Sequence, residues 1–258
     1  MTYWNAVLLG LVQGVAEFLP ISSSGHLAVL QNFLAIGDME NHMLFDVLLH
    51  LGTLAAVILA FWKDVREVVT EFARMLHIRR TPRGLRPNRR ERRLISFLII
   101  ATLPLIPAAF LSNVVESLYQ NTFFIGFAFI LTGFLLFAAD RMGHGNKDER
   151  SSTTADALVV GLAQVVAVVP GLSRSGTTIS AGMLRGFERS FAVKFSFLLS
   201  IPAVLGANLV SLIKVFSTGV EWSYVPMYLV GVACAFVSGY FAIYFLRLVV
   251  QRGKFGGF

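Results

Sequence analysis

The sequence predicts an all-α integral membrane protein with about five full transmembrane helices and an inverted-topology repeat that contains two re-entrant helix hairpins. Three observations lead to this fold class. The chain of 258 residues is 55% hydrophobic and only 14% charged, which is typical of membrane proteins. Its apolar runs have the length of bilayer-spanning helices, and two interrupted segments resemble each other. The whole chain, residues 1–258, is therefore expected to form a single membrane domain.

Five apolar runs are each close to the roughly 20 residues that a helix needs to cross a bilayer. They cover residues 43–62, 94–113, 123–139, 191–216 and 225–250. The single cysteine, Cys234, lies in the last run. A disulfide framework and a cysteine-based metal site are therefore excluded.

The formal net charge of +7 is concentrated in one segment. Residues 63–93, predicted as a loop, contain half of the 22 Lys and Arg residues. The positive-inside rule assigns this loop to the cytoplasm, where anionic lipid headgroups are its neighbours. A topology determinant explains the charge better than nucleic-acid binding does, so no nucleic-acid partner is expected.

Two further segments, residues 4–36 and 155–185, each predict a pair of half-length helices around a polar break. Pro20 and Gly25 interrupt the first segment, and the second breaks at residues 170–176. If the basic loop is cytoplasmic, the first segment begins outside and the second begins inside. Each is therefore predicted to dip into the membrane and return to its own side, which is tolerated when the broken backbone is buried in protein or lines a wet cavity.

The two breaks align at an offset of 151 residues, and the matched positions carry the same small or polar residue. The matches are Gln13 with Gln164, Ser22 with Ser173, Ser24 with Ser175, and Gly25 with Gly176. We interpret them as an internal repeat with halves at about 1–139 and about 155–258. Because the halves begin on opposite sides, the repeat is inverted, and such folds place their sites near the midplane where broken helices meet.

The first break combines an acid, hydroxyls and an imidazole. Gln13 and Glu17 are four residues apart and share a helix face, and Ser22, Ser23 and His26 follow the turn. Ionisable groups at membrane depth are expensive, which indicates a functional site. An acid can bind a divalent cation or accept a proton, a serine can attack phosphorus, and His26 can shuttle a proton. The alternatives are helix capping beside Pro20 and Gly25 for Ser22 and Ser24, and a polar contact between helices for Glu17.

The second break contains the residue types that hold phosphate. Arg174 lies between Ser173 and Ser175 at the start of a predicted helix, and Thr178 follows. The N–H groups of a helix N-terminus, neighbouring hydroxyls and a bidentate guanidinium all bind phosphate oxygens. A structural Arg174 that neutralises Glu17 is the alternative. Asp46 and His50, four residues apart on the first full span, are interpreted as a supporting polar pair rather than a metal site.

The motifs Gln13-xxx-Glu17-Phe-Leu-Pro-Ile-Ser-Ser-Ser-Gly-His26 and Pro170-Gly-Leu-Ser-Arg-Ser-Gly-Thr-Thr178 resemble the two signatures of the undecaprenyl pyrophosphate phosphatase family of the BacA or UppP type. The resemblance extends over most of the chain. It implies a multi-pass enzyme of the bacterial inner membrane that hydrolyses undecaprenyl diphosphate to undecaprenyl phosphate and inorganic phosphate. It also implies recycling of the lipid carrier for cell-wall synthesis, dependence on a divalent cation such as Mg²⁺ or Ca²⁺, a site open to the outer face, and bacitracin resistance.

This resemblance assigns a role to each candidate residue. The catalytic candidates are Glu17, Ser23, His26 and Arg174, with Glu17 also the metal ligand. The phosphate-binding candidates are Ser22, Ser173, Arg174, Ser175 and Thr178, and the supporting ones are Gln13 and Asp46. The choice between Ser23 and His26 as nucleophile stays open. The identity of the metal, the prenyl chain length and the oligomeric state also stay open, and a homodimer is one possible oligomeric state. Family members usually continue into a further spanning helix, so the span count and the wall of the lipid cleft also stay open.

Two rival functions are weaker. A phosphatidic acid phosphatase of type 2 needs a histidine after Arg174, and none of the five histidines follows it. A transporter or flippase of polyprenyl phosphate would suit an inverted repeat and the grip of Arg174. It has no need for Glu17, Ser23 and His26 beside that grip, so the sequence favours hydrolysis.

Overall fold

A computed structural model describes residues 1–34, 43–77, 88–108, 110, 115, 118, 119, 121–218 and 222–251. This part of the chain is helical, and its only β pairing is an isolated bridge between Lys147 and Phe187. The helices with described ends are α1 (Tyr3–Phe18), α2 (Ser23–Phe33), α3 (Met43–Ala60), α4 (Trp62–Met75), α5 (Arg89–Thr102), α6 (Leu105–Ala108), α7 (Thr122–Met142), α8 (Thr154–Val166), α9 (Arg174–Leu184), α10 (Arg189–Thr218) and α11 (Val225–Gln251). A short 3₁₀ helix, Trp222–Tyr224, precedes α11.

Four of the five predicted spans are confirmed as helices long and apolar enough to cross a membrane, namely α3, α7, α10 and α11. The predicted span at 94–113 is not one helix. Its α5 ends at Thr102, and α6 is a separate helix of four residues. Pro104 explains the interruption because proline has no N–H and its ring clashes with the preceding turn. Residues 109 and 111–113 of that span lie outside the described residues.

The two interrupted segments form the predicted pairs of short helices. Helices α1 and α2 contain 16 and 11 residues, and α8 and α9 contain 13 and 11. The first break is shorter than predicted, because α2 begins at Ser23 and Gly25 lies inside its first turn. The turn depends instead on Pro20 and on Ser22, whose φ of 70° lies in the left-handed region.

The basic segment 63–93 is not a simple loop, because α4 and the start of α5 occupy much of it. Residues 78–87 lie outside the described part of the chain. Glu71 on α4 is buried and accepts hydrogen bonds from Arg74 at 3.2 Å and from Arg92 at 2.7 Å. Arg74 lies on α4 itself, whereas Arg92 belongs to α5, so the bond from Arg92 joins the two helices.

Helix α11 packs between α1 and α3. A Cβ atom on Gly10 of α1 would lie 2.3 Å from the carbonyl oxygen of Gly231, and one on Gly14 would lie 2.0 Å from the Oγ of Ser238. Small residues let helix backbones approach this closely in membranes, where packing rather than water exclusion holds helices together. The close contact fixes α1, the helix that carries Gln13 and Glu17.

An aromatic cluster holds the end of α1. The ring of Phe18 packs edge to face on Phe197 of α10, with centroids 5.5 Å apart, and Phe197 packs in the same way on Phe61 at 5.6 Å. Edge-to-face pairs stabilise by about 0.5–1.5 kcal/mol beyond the area that they bury. Because Phe18 directly follows Glu17, the cluster also fixes the position of the acid.

Candidate active site

Gln13 and Glu17 lie one turn apart on the buried face of α1, with exposed fractions of 0% and 7%. The Nε2 of Gln13 donates a hydrogen bond to Oε2 of Glu17 at 3.0 Å. A carboxylate can only accept, so the amide nitrogen of Gln13 must face Glu17. The Oε1 of Gln13 is buried and has no hydrogen-bond partner among the described residues.

Glu17 is the centre of the site. Ser23 donates its hydroxyl to Oε2 of Glu17 at 2.6 Å, and Arg174 forms an ion pair with Oε1. The Nε2 of His50 lies 3.9 Å from Oε2. One carboxylate thus contacts groups from α1, α2, α3 and α9, and it joins the two sequence motifs in space.

Arg174 is the first residue of α9, and its side chain is 22% exposed. Gly171 begins the turn with a φ of +89°, a conformation that glycine adopts without strain. Only Nη2 of Arg174 contacts Glu17, and the other N–H groups of the guanidinium make no hydrogen bond within the described part of the chain. The ion pair expected of a structural arginine is therefore present, and the remaining N–H groups of the guanidinium stay available to bind a ligand.

The imidazole of His26 is held from two sides. Its Nδ1 lies 2.7 Å from the carbonyl oxygen of Ser22. Because a carbonyl only accepts, Nδ1 carries the hydrogen, and Nε2 of the neutral ring keeps its lone pair. The ring packs on Phe129 of α7 with centroids 4.9 Å apart. Within the described part of the chain, His26 makes no hydrogen bond or ion pair with Glu17, so the two lie in one region without a direct bond.

The serines of the two breaks share one hydrogen-bond pattern, although the φ of Ser22 is 70° and that of Ser173 is -73°. Ser22 and Ser173 are the N-caps of α2 and α9, and each hydroxyl accepts from the N–H three residues further on, at 3.4 and 3.1 Å. Each also lies near the next serine but one, with Oγ atoms 3.4 Å apart for Ser22 and Ser24 and 3.2 Å apart for Ser173 and Ser175. The capping role considered for Ser22 is thus what the geometry shows, and Ser173 has it too.

Thr178 is engaged with protein groups. Its hydroxyl lies 2.8 Å from the carbonyl oxygen of Arg174, to which it donates, and 2.6 Å from Oγ of Ser196 on α10. Thr178 is only 2% exposed. It therefore fixes α9 against α10, a contact through Ser196 that the sequence did not reveal.

Asp46 contacts Gln31 and His50 beside the site. Its Oδ1 accepts a hydrogen bond from Nε2 of Gln31 on α2 at 2.9 Å, and its carbonyl oxygen lies 2.7 Å from Nδ1 of His50. His50 thus presents Nε2 towards Glu17. The spacing of Asp46 and His50 signalled this pair, whereas Gln31 carried no signal beyond being polar.

The two breaks touch each other. A Cβ on Gly25 would lie 3.1 Å from Cα of Gly171, and a Cβ on Gly176 would lie 3.2 Å from Cβ of Pro20. Larger side chains at these positions would separate the acid from the guanidinium.

The described residues contain no group of three or more His, Cys, Asp and Glu side chains that could hold a metal ion. A cation at Glu17 would therefore need other oxygen ligands.

Comparisons with known proteins agree with the motifs. Residues 6–258 match the family model described as bacitracin resistance protein BacA. A curated relative from Alkaliphilus metalliredigens, named undecaprenyl-diphosphatase, is 41% identical over 256 residues, which cover 98% of this chain and 92% of that protein. Relatives of the same name from Syntrophotalea carbinolica and Methanobrevibacter smithii are 40% and 39% identical over 263 and 255 residues. Those alignments cover 100% and 96% of this chain, and 94% and 89% of the two relatives.

Proposed function

The chain belongs to the BacA family, and from this premise we propose that it is a multi-pass membrane phosphatase that hydrolyses undecaprenyl diphosphate to undecaprenyl phosphate and inorganic phosphate. The product is the lipid carrier used in cell-wall synthesis, and bacitracin resistance accompanies this role. The ion pair between Glu17 and Arg174 carries the proposal. It brings the acid of one motif and the phosphate-binding residue of the other to one point.

Arg174 binds and orients the terminal phosphate in this proposal. Its unused N–H groups can hold phosphate oxygens while the N-terminus of α9 adds positive potential. Charged donors aimed at the transferred phosphoryl group act through positioning and electrostatics. Ser173, Ser175 and Thr178 shape this pocket mainly by capping and fixing α9.

A divalent cation, Mg²⁺ or Ca²⁺, fits the oxygen ligands beside Arg174. Glu17 offers a carboxylate, and Gln13, one turn earlier on α1, offers a buried amide oxygen, Oε1, that has no partner among the described residues. Hard cations prefer such oxygen ligands, and Mg²⁺ commonly combines one or two carboxylates with substrate phosphates. The bound cation would neutralise charge on the diphosphate. Gln13 thereby changes from a supporting residue to a candidate ligand.

Two groups qualify as the nucleophile. Ser23 donates a hydrogen bond to Glu17, which can take the proton when Oγ attacks, and His26 presents the lone pair of Nε2. In either case a bond forms between the attacking atom, Oγ of Ser23 or Nε2 of His26, and the terminal phosphorus. The bond from that phosphorus to the bridging oxygen breaks. Undecaprenyl phosphate leaves, and water then releases inorganic phosphate from the protein.

We further propose an orientation of the protein in the membrane, which is based on the distribution of its positive charges. The basic segment 63–93 would lie in the cytoplasm, with the site open to the outer face of the inner membrane. The paired short helices α1–α2 and α8–α9 would be re-entrant hairpins of an inverted repeat. The matching capping hydrogen bonds of Ser22 and Ser173 support the repeat.

Phosphate release from undecaprenyl diphosphate by the purified protein tests the function. We expect turnover that a chelator abolishes and that added Mg²⁺ or Ca²⁺ restores, and loss of turnover in Glu17→Gln. The matched control is Glu67→Gln on α4, outside the site. Absence of turnover by the wild type under every condition would overturn the proposal and favour transport. Wild-type turnover by Glu17→Gln would remove Glu17 from the mechanism.

A further inference from the structure

One face of α7 contacts both breaks of the site. Phe129 packs on His26 of the first break, and Thr132, one turn later, bonds to the backbone of the second break. We propose that this face of α7 aligns the two halves of the site, and that Phe129 and Thr132 are positioning residues for the reaction. The proposal rests on the proposed phosphatase function, which it deepens.

Thr132 holds the second break through its hydroxyl. Its Oγ1 accepts a hydrogen bond from the N–H of Ser173 at 3.1 Å and donates one to the carbonyl oxygen of Gly171 at 3.4 Å. Thr132 is 3% exposed, in a helix that is otherwise strongly apolar. A buried hydroxyl is costly unless it is hydrogen-bonded, so its pairing with this turn is specific. Thr132 thus fixes the backbone directly before Arg174.

Phe129 holds the first break through its ring. The ring packs on the imidazole of His26, while the carbonyl oxygen of Ser22 binds Nδ1 of that imidazole. The two contacts together fix the direction of Nε2. Phe129 also fills the space beside Gly25, where a Cβ would lie 2.5 Å from the ring. Any shift of α7 therefore moves or frees His26.

The two contacts are coupled because Phe129 and Thr132 lie on the same face of α7. Phe129 and Thr132 are three residues apart and face the same side of a continuous helix. The same face meets the second break again, because a Cβ on Gly171 would lie 2.7 Å from Cβ of Ala128. The opposite face of α7 is turned outward, with Phe127 67% exposed. A rigid helix between the breaks thus sets the separation that lets Arg174 reach Glu17.

Substitutions that change one contact test this role. Thr132→Val keeps the shape of the side chain but removes the hydroxyl, and we expect kcat to fall by about 10–100-fold with KM within about threefold, because small misplacements at a reacting centre have effects of this size. Thr132→Ser keeps the hydroxyl and should retain kcat within about threefold. Phe129→Leu should lower kcat similarly. The controls are Phe127→Leu on the outward face and Thr102→Val on α5, which should match the wild type.

A second measurement separates this proposal from the phosphatase function. Hydrogen exchange of residues 171–176 reports the N–H of Ser173 whether or not the protein turns over substrate. We expect faster exchange in Thr132→Val than in the wild type and Thr132→Ser. If the wild type lacks turnover, the phosphatase proposal fails and the positioning role fails with it, while faster exchange would still establish the contact. Given wild-type turnover, unchanged kcat in Thr132→Val and Phe129→Leu, or unchanged exchange in Thr132→Val, would overturn the positioning role.

Discussion

Removal of Arg174 should affect stability and activity through two separable causes. In Arg174→Ala the carboxylate of Glu17 stays buried, with neutral donors from Ser23 and Gln13 but without its counter-ion. The side chains of the pair are only 6% and 22% exposed, so solvent replaces little of the lost interaction. Loss of one partner of a buried ion pair costs roughly 3–5 kcal/mol. Since the neutral donors remain, we expect about 3 kcal/mol, the lower end of that range.

The effect on activity has a different origin. A charged donor at the transferred phosphoryl group accounts for about 10²–10³ in rate, as loss of one preorganised donor does in other enzymes. The double variant Glu17→Gln/Arg174→Ala removes the unpaired charge along with the guanidinium. We therefore expect it to recover most of the lost stability and to remain inactive.

The assay combines unfolding in mixed micelles with phosphate release from undecaprenyl diphosphate, and the exposed Arg66→Ala serves as control. Three outcomes would refute the reasoning. Wild-type turnover by Arg174→Ala would show that Arg174 does not bind the transferred phosphate. Unchanged stability of Arg174→Ala would mean that the pair is not a buried ionic contact. A double variant as unstable as Arg174→Ala would show that the unpaired carboxylate is not the cause.

Three further predictions concern other residues. Gln13→Leu should raise the cation concentration needed for half-maximal turnover by about tenfold, the lower range for altered metal sites; a metal titration that matches the wild type would exclude Gln13 as a ligand. Gly25→Ala should lower stability by about 1–3 kcal/mol through overpacking and reduce turnover with it. Gly126→Ala, where a Cβ meets nothing within 4 Å, is its control, and equal melting temperatures of the two variants would contradict the close contact. Burial opposes ionisation of Glu71, but hydrogen bonds from arginines, chiefly Arg92, outweigh it and lower its pKa. The stabilisation from Glu71 should therefore be fully present above the pKa that it has in the unfolded chain, and should fade as the pH falls through its lower folded pKa. Glu71→Gln should accordingly melt below the wild type at neutral pH and approach it in acid, and a constant difference would contradict this linkage.

Much of the helical fold could be predicted because apolar length and Pro or Gly breaks are local signals. The four long helices and the two pairs of short ones follow from them. The error at 94–113 arose because hydropathy counts apolar residues and does not register that Pro104 ends a helix. The first break was predicted to be longer than it is for a similar reason. Gly25 was taken as a helix breaker, whereas it is present because Phe129 and Gly171 leave no room for a side chain.

The candidate site was predictable to the extent that its residues lie in two compact motifs. Glu17, Ser23 and Arg174 meet as the paired motifs indicated. Thr132 could not be found in this way, because one threonine in an apolar helix has no local pattern, and only the fold shows which backbone groups it binds. Gln31 and Ser196 were missed for the same reason, since their partners are remote in the chain or on another helix.

The contact between Glu17 and Arg174 joins residues 157 positions apart in the chain. During synthesis the first half therefore exists for some time without the guanidinium that balances its acid. A lone carboxylate is costly at membrane depth, so we expect this region of the nascent protein to stay hydrated until α9 is inserted. Assembly of the active site is then a late step of biogenesis. Two separately expressed halves, each inert, should regain activity only when they are produced together.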